Sequence, residues 1–257
     1  DMHPVVESAD LDAALVRAAD GLRRADRVAA LTGAGVSAES GLATFRGGGG
    51  LWEGQAVEDV ATPEAFHRNP ELVWRFYNAR RAGLRAAKPN PGHLALVDLE
   101  KRWGERFTLV TQNVDGLHQA AGSRRVLELH GGLARVRCTR CKAVTDRAGD
   151  ELPDLPRCEA CGHLLRPDVV WFHEMLPEGV WRTACEAVEA CDCFLVVGTS
   201  AVVYPAAGLI DMARALGAAV IEVNLEPAAQ AAGAIGLYGR SGEVLPRLVR
   251  GLDPSAS

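Results

Sequence analysis

The apolar run Val28-Ala29-Ala30-Leu31 is followed by Gly33-Ala34-Gly35-Val36-Ser37-Ala38, a G-x-G-x-x-(G/A) pattern directly behind a buried strand. Closely spaced glycines let the backbone approach a phosphate, and a helix starting there offers its free N–H groups. This feature commits the chain to a strand–turn–helix unit and points to a dinucleotide. The next stretch departs from a dehydrogenase half-site, whose second strand ends in an acidic residue roughly 20 residues on. Here the chain runs through Glu39-Ser40-Gly41-Leu42-Ala43-Thr44-Phe45-Arg46 into four consecutive glycines, 47–50, and then Leu51-Trp52. Four glycines are costly in a helix and suit a loop. The dinucleotide is therefore not held as a routine redox enzyme holds it.

Apolar periodicity supplies the rest of the frame. Helical spacing of Leu11, Ala14, Leu15, Ala18 and Leu22 predicts a helix over about 9–25. A helix over about 62–87 is opened by Thr62 as cap and Pro63 at its first position, and another is expected over about 93–103. Strands are expected at 28–32, 107–111, 126–129, 194–197 and 219–223. Strands alternating with helices predict an α/β fold, a Rossmann-like parallel sheet with helices on both faces. Gly33, Gln112-Asn113, Gly198-Thr199 and Asn224 then stand beyond the carboxyl ends of four strands, the edge where such sheets bind ligands. The expected organisation is a Rossmann-like domain from 1–131 and 169–257, with a helical and cofactor-loop insert at about 42–88, and a small module over 132–168.

That module holds Cys138-x-x-Cys141 and Cys158-x-x-Cys161, separated by 16 residues. Two such knuckles match a four-cysteine zinc ribbon, and four protein ligands leave no open position, so the zinc is expected to be structural. His163 would be surplus. Cys185, Cys191 and Cys193 are expected to pack as small hydrophobes.

Composition excludes other classes. At 257 residues, 48% hydrophobic and 24% charged, the chain reads as soluble and globular. A net charge of −5 with no basic block argues against direct nucleic-acid binding. No apolar stretch approaches the roughly 20 residues that span a membrane. The first residues carry neither a signal-peptide nor a transit-peptide pattern, so the expected address is cytoplasmic.

Gln112-Asn113-Val114-Asp115 and Glu128-Leu129-His130-Gly131 put amides, a carboxylate and an imidazole at the ligand edge. His130 suits a general base near neutral pH, and Asn113 and Asp115 suit orienting a ribose or a water. His118 suits a helix surface better than catalysis.

These strings in this order resemble the sirtuin family. They are Gly-Ala-Gly-Val-Ser-Ala-Glu-Ser-Gly (33–41), Thr-Phe-Arg (44–46), Gln-Asn-Val-Asp (112–115), His-Gly (130–131), the two cysteine pairs, Val-Val-Trp-Phe (169–172), Gly-Thr-Ser (198–200) and Asn-Leu-Glu (224–226). The resemblance covers about residues 15–250 and implies NAD-dependent removal of acyl groups from the lysines of proteins or peptides. NAD+ would be a consumed co-substrate and one Zn2+ structural. It implies NAD contacts from Gly33, Ala34, Gly35, Ser37, Glu39, Thr44, Phe45, Arg46, Trp52, Gln112, Asn113, Asp115, Gly198, Thr199, Ser200, Asn224, Leu225, Glu226 and Ser241. Val170, Trp171 and Phe172, opposite Val203 and its neighbours, would clamp the peptide by strand addition. In the implied reaction the acyl oxygen attacks the nicotinamide ribose carbon and nicotinamide leaves. His130 then takes a proton from a ribose hydroxyl, and free lysine and an O-acyl-ADP-ribose result.

Tyr77 and Arg80 share one helix face at i and i+3 and together suit a carboxylate. Taken alone, such a pair marks a solvated face. Within the resemblance it points to the subgroup that removes succinyl, malonyl and glutaryl groups, with some deacetylation retained. Ala61 matches the small residue that leaves room for the longer acyl chain, and Thr44 fits the same subgroup. His173 departs from the family's usual Gly. The competing readings are a plain deacetylase, NAD glycohydrolysis or ADP-ribosyl transfer, and a non-enzymatic zinc-ribbon adaptor that senses NAD.

Overall fold

The computed structural model describes residues 8–43, 51–52, 55–228 and 232–253. Thr44, Phe45, Arg46 and the glycines at 47–50 lie outside the described residues, and so does the side chain of Trp52.

The apolar runs are strands because both of their faces are buried. In β1 (Val28–Thr32), Val28 and Ala30 join one core while Ala29 and Leu31 join the other. The parallel sheet also contains β4 (Phe107–Thr111), β5 (Val126–Glu128), β9 (Cys193–Val197), β10 (Ala219–Asn224) and β11 (Ile235–Tyr238), in the order β11-β10-β9-β1-β4-β5. That is the doubly wound order, in which the connection reverses between β1 and β9. The first core is covered by α1 (Ser8–Arg24), α6 (Pro91–Trp103) and α10 (Ser241–Arg250), the second by α8 (Glu178–Glu189) and α9 (Gly208–Ala215). Cys191 and Cys193 are buried in these cores, as small hydrophobes would be.

Two shorter helices sit by the ligand edge, α2 (Gly35–Ala38) and α7 (Leu117–Ala121). The insert opens with a pair of two-residue strands, β2 (Leu51–Trp52) and β3 (Gln55–Ala56), and continues with α3 (Val57–Val60). The helix expected over 62–87 is two helices, α4 (Pro63–Arg68) and α5 (Pro70–Ala86). Pro70 cannot continue α4, and Asn69 accepts Leu72 N–H at 3.1 Å as the cap of α5. The insert has its own core of Val60, Ala65, Val73, Phe76, Tyr77 and Trp171.

The cysteine module is a three-stranded antiparallel sheet, β7-β6-β8, built from β6 (Gly131–Cys138), β7 (Val144–Asp146) and β8 (Leu165–Val169). Among the described residues no helix is long and apolar enough to cross a membrane.

Candidate active site

The loops after β1 and β9 interlock at the reversal point. Gly33 N–H donates to Val197 O at 3.0 Å, and Gly35 N–H to Gly198 O at 2.8 Å. A Cβ on Gly33 would lie 2.7 Å from Thr199 Cβ, and one on Gly35 2.8 Å from Gly198 Cα. Gly198 is at φ +60, and its Cβ would meet Val36 N at 2.3 Å. Glycine is thus required for loop to pass against loop as well as for a ligand to approach. Gly33, Gly35, Val36 and Ser37 all donate within the protein, leaving Ala34 as the one amide of that turn without an acceptor among the described residues.

A cleft of about 1270 Å³ opens at this edge. Every residue expected at the NAD, acyl or peptide site lines it, apart from Thr44, Phe45, Arg46 and Trp52, which cannot be placed there.

The side-chain amides lining the cleft have their N–H groups already committed. Asn113 Nδ2 donates to Gly33 O at 3.0 Å and Ser37 Oγ at 3.3 Å, and Gln112 Nε2 donates to Thr199 Oγ1 at 3.0 Å. Asn224 Nδ2 donates to Thr199 O at 3.0 Å and Glu222 Oε1 at 2.7 Å. What remains to a ligand is carbonyl acceptors, which suit ribose hydroxyls and not phosphate oxygens. Asp115 accepts from Ser37 Oγ at 2.7 Å and Leu117 N at 2.9 Å, so it holds its neighbours and is not poised to move a proton. Ser37 also meets His93 Nε2 at 3.3 Å and is 2% exposed, which makes it a support behind the wall. Glu39 likewise is used within the fold, accepting Gly242 N–H at 2.8 Å and Ser241 Oγ at 3.3 Å at the start of α10.

Glu222 is a buried polar residue supporting Asn224 that sequence reasoning misses. It is 2% exposed in β10, where it accepts from Asn224 and from Ala228 N at 2.7 Å. Its one sequence signal is a carboxylate inside the apolar run 219–223. His118 is fully buried and not on a surface; burial lowers its pKa to about 3, and its Nε2 lies 2.8 Å from Thr32 Oγ1.

His130 Nδ1 lies 2.9 Å from Gln112 O. A carbonyl can only accept, so Nδ1 carries the proton and Nε2 keeps its lone pair, the tautomer a base requires. Burial disfavours the imidazolium, the Gln112 carbonyl only partly offsets this, and the pKa falls below the ordinary 6.5. The neutral base therefore persists as pH drops through 6.5 and is lost only below it. The acidic limb of kcat/KM against pH is expected to have its midpoint below 6.5; a midpoint above that value would remove His130 as the titrating base.

At the acyl end, Tyr77 OH accepts from Trp171 Nε1 at 2.9 Å, and the Arg80 guanidinium stands 5.9 Å from the Tyr77 ring and 5.8 Å from that of Phe76. Ala61 O accepts Phe172 N–H at 3.0 Å, which sets Ala61 beside the expected peptide clamp. Val170 N–H goes to His130 O, Trp171 N–H to Glu174 Oε2 and Phe172 N–H to Ala61 O. These three N–H groups are engaged within the protein, so an added strand would pair with the carbonyls of this irregular backbone, which lines the cleft with Val203. His173 adopts φ +69 in the same loop, with Nδ1 3.3 Å from Glu64 Oε2.

The four cysteines form a separate cluster, all sulfurs within 4.8 Å of one another. Cys138 and Cys161 are 3.4 Å apart, Cys141 and Cys158 3.7 Å. Thiolates around a tetrahedral zinc stand about 3.8 Å apart, so the set fits one structural ion with no open position. Burial raises the Cys138 thiol, but the N–H groups of Arg140 and Cys141 draw it down to about 6, while Cys141, despite the Ala143 N–H, is pushed up to about 11 by the neighbouring sulfurs. His163 turns Nδ1 to Cys161 O and Nε2 to Arg140, outside the donor set.

A model of the Sir2 family matches residues 33–205. NAD-dependent protein deacylase 2 of Pyrobaculum aerophilum is 53% identical over 234 residues, covering 90% of this chain and 93% of its own. A Sir2 homolog solved as its NAD complex superposes with a TM-score of 0.86 at 44% identity, covering 94% of each chain. Sir2Af2 bound to a myristoylated histone peptide gives a TM-score of 0.76 at 36% identity, covering 94% of this chain and 97% of that one. With the glycine interlock, the amide carbonyls of the cleft, His130 and the four clustered thiols in place, the chain belongs to the Sir2 family.

Proposed function

We propose that this NAD-dependent protein deacylase prefers lysines whose acyl group ends in a carboxylate. Succinyl and malonyl would be taken best, glutaryl would be an extension, and acetyl a weaker substrate. Nicotinamide, an O-acyl-ADP-ribose and free lysine would be the products. The observation that carries this is Tyr77 beside Arg80 on the cleft wall. Burial raises the Tyr77 phenol to about 12 against the pull of Arg80, so it keeps its proton. Its oxygen already accepts from Trp171, which leaves the O–H to donate. A phenol donor next to a guanidinium fork matches a carboxylate.

An apolar acyl chain is the competing reading, since Sir2Af2 was solved with a myristoylated peptide. A hydrocarbon tail would cover the Arg80 guanidinium and the Tyr77 O–H without offering either a hydrogen bond, whereas a carboxylate accepts from both. His130, placed as a base beside the ribose-reading amides, supports acyl transfer over mere NAD sensing and over simple NAD hydrolysis.

One peptide carrying succinyl-, malonyl-, glutaryl- or acetyl-lysine decides the matter, with O-acyl-ADP-ribose as readout. Charge-assisted hydrogen bonds of about 1.5–3 kcal/mol predict that the best acidic acyl group exceeds acetyl by about ten- to a hundredfold in kcat/KM. Acetyl equal or superior would sink the preference. Absent turnover of all four, with NAD still bound, would favour a sensor.

A further inference from the structure

Helix α5 carries two stripes. Trp74, Asn78, Arg81 and Arg85 fall within roughly 60° of arc at 3.6 residues per turn, and every one reaches the zinc ribbon. Trp74 Nε1 donates to Leu165 O at 2.8 Å and Asn78 Nδ2 to Leu152 O at 2.9 Å. The Arg81 guanidinium donates to the carbonyls of Leu133 and Arg147 and, at 3.2 Å, to that of Asp150. Arg85 meets Glu151 at 3.4 Å. Trp74 is fully buried in one cluster with Val136, Leu165 and two of the metal-site thiols, Cys138 and Cys158. The neighbouring stripe, Tyr77, Arg80 and Leu84, lines the cleft. One rigid helix thus has the ribbon on one side and the acyl site on the next. The ribose-reading amides and the glycine turn are carried instead by loops of the parallel sheet.

Arg81 makes this seating specific. It is 6% exposed, and a buried cation is tolerated only where its donors are met; here they meet three main-chain carbonyls at fixed positions on the module. Such a fork fixes both the height and the rotation of α5.

We propose that Asn78 and Arg81 are positioning residues for acyl-lysine recognition: they seat α5 on the zinc ribbon, so that the folded ribbon sets the angle at which Tyr77 and Arg80 meet the acyl group. The proposal rests on reading Tyr77 and Arg80 as acyl-pocket residues.

The test uses the zinc-loaded protein with Asn78→Ala and, separately, Arg81→Met. KM is measured for an acetyl-lysine peptide, a succinyl-lysine peptide and NAD, with zinc content and amide hydrogen exchange alongside. The expected result is a rise of about tenfold in KM for both peptides, because a misseated α5 displaces the whole wall of Tyr77, Arg80 and Leu84, whereas changing the head groups of Tyr77 and Arg80 leaves that wall in place. KM for NAD stays within about twofold, zinc stays at one per chain, and exchange quickens in α5 but not in β1 or β9. Unchanged peptide KM, or an equal rise for NAD and peptide, overturns the proposal. Should Arg81→Met fail to fold, Asn78→Ala, which removes one partly buried hydrogen bond, decides by the same criteria. The acetyl peptide isolates this proposal from the acyl preference. If Arg80→Met weakens both peptides equally, the carboxylate reading falls, while the peptide-against-NAD split still judges the seating of α5.

Discussion

Replacing His130 by alanine is expected to lower deacylation by about a thousandfold, the middle of the range for loss of a positioned general base. That corresponds to roughly 4 kcal/mol of transition-state stabilisation. The expectation rests on two features that act together. The Gln112 carbonyl fixes the proton on Nδ1, and burial disfavours the imidazolium, so the neutral ring presents Nε2 as an acceptor. Gln112 and Asn113 come directly after the neighbouring strand and line the same cleft, where their carbonyl oxygens would accept from a ribose. The fold has little stake in the ring itself. The neighbouring backbone is held by the His130 carbonyl accepting Val170 N–H at 2.9 Å, which alanine preserves. The melting temperature should therefore change little, and peptide and NAD affinity should survive. Release of nicotinamide, which needs the acyl oxygen and not a base, should also survive, so exchange of labelled nicotinamide into NAD is expected to persist while O-acyl-ADP-ribose disappears. Near-normal deacylation would remove His130 from the base role. Parallel loss of exchange and deacylation would place it in binding instead.

Much of this site was legible because its carriers are local. Apolar runs such as 28–32 and 193–197 announce strands buried on both faces, and the residues just past them fall at the ligand edge whatever the loops do. Cysteine spacing works the same way, since each knuckle closes over four residues. Other features depend on partners far along the chain and leave no local trace. The Gly33 and Gly35 amides look free beside a short helix, but their acceptors come from 197–198. Val170 to Phe172 read as a binding strand, but Ala61, His130 and Glu174 had already taken their N–H groups. Asn78 and Arg81 have the polarity of a solvated helix face, yet they are bonded to carbonyls 52–74 residues away. The break at Asn69-Pro70 was readable in principle, because a proline inside a helical run ends the run before it. The strand Ile235–Tyr238 offers four residues with a glycine among them, too little for periodicity to register.

The acyl preference should respond to Tyr77→Phe combined with Arg80→Met. Succinyl-lysine KM is expected to rise about a hundredfold and acetyl-lysine KM no more than about threefold. A guanidinium–carboxylate contact contributes about 1.5–3 kcal/mol and the phenol hydrogen bond about 1 kcal/mol, and each 1.4 kcal/mol is tenfold. The two substitutions do different things to the fold. Methionine keeps the stem of Arg80 against Phe76 and Tyr77, so that change removes mainly the charged head. Phenylalanine removes the acceptor of Trp171 Nε1 and leaves a buried N–H unpaired in a residue 3% exposed. Such an orphan costs about 1–3 kcal/mol, so the double variant should melt several degrees lower with either substrate. Absolute activity therefore cannot decide the question, but the ratio of the two Michaelis constants can, because a general loosening of the insert core falls on both acyl groups alike. A ratio that moves toward one identifies Tyr77 and Arg80 as the carboxylate receptor. Equal losses on both substrates would mean that the pair serves only to pack the wall of the cleft.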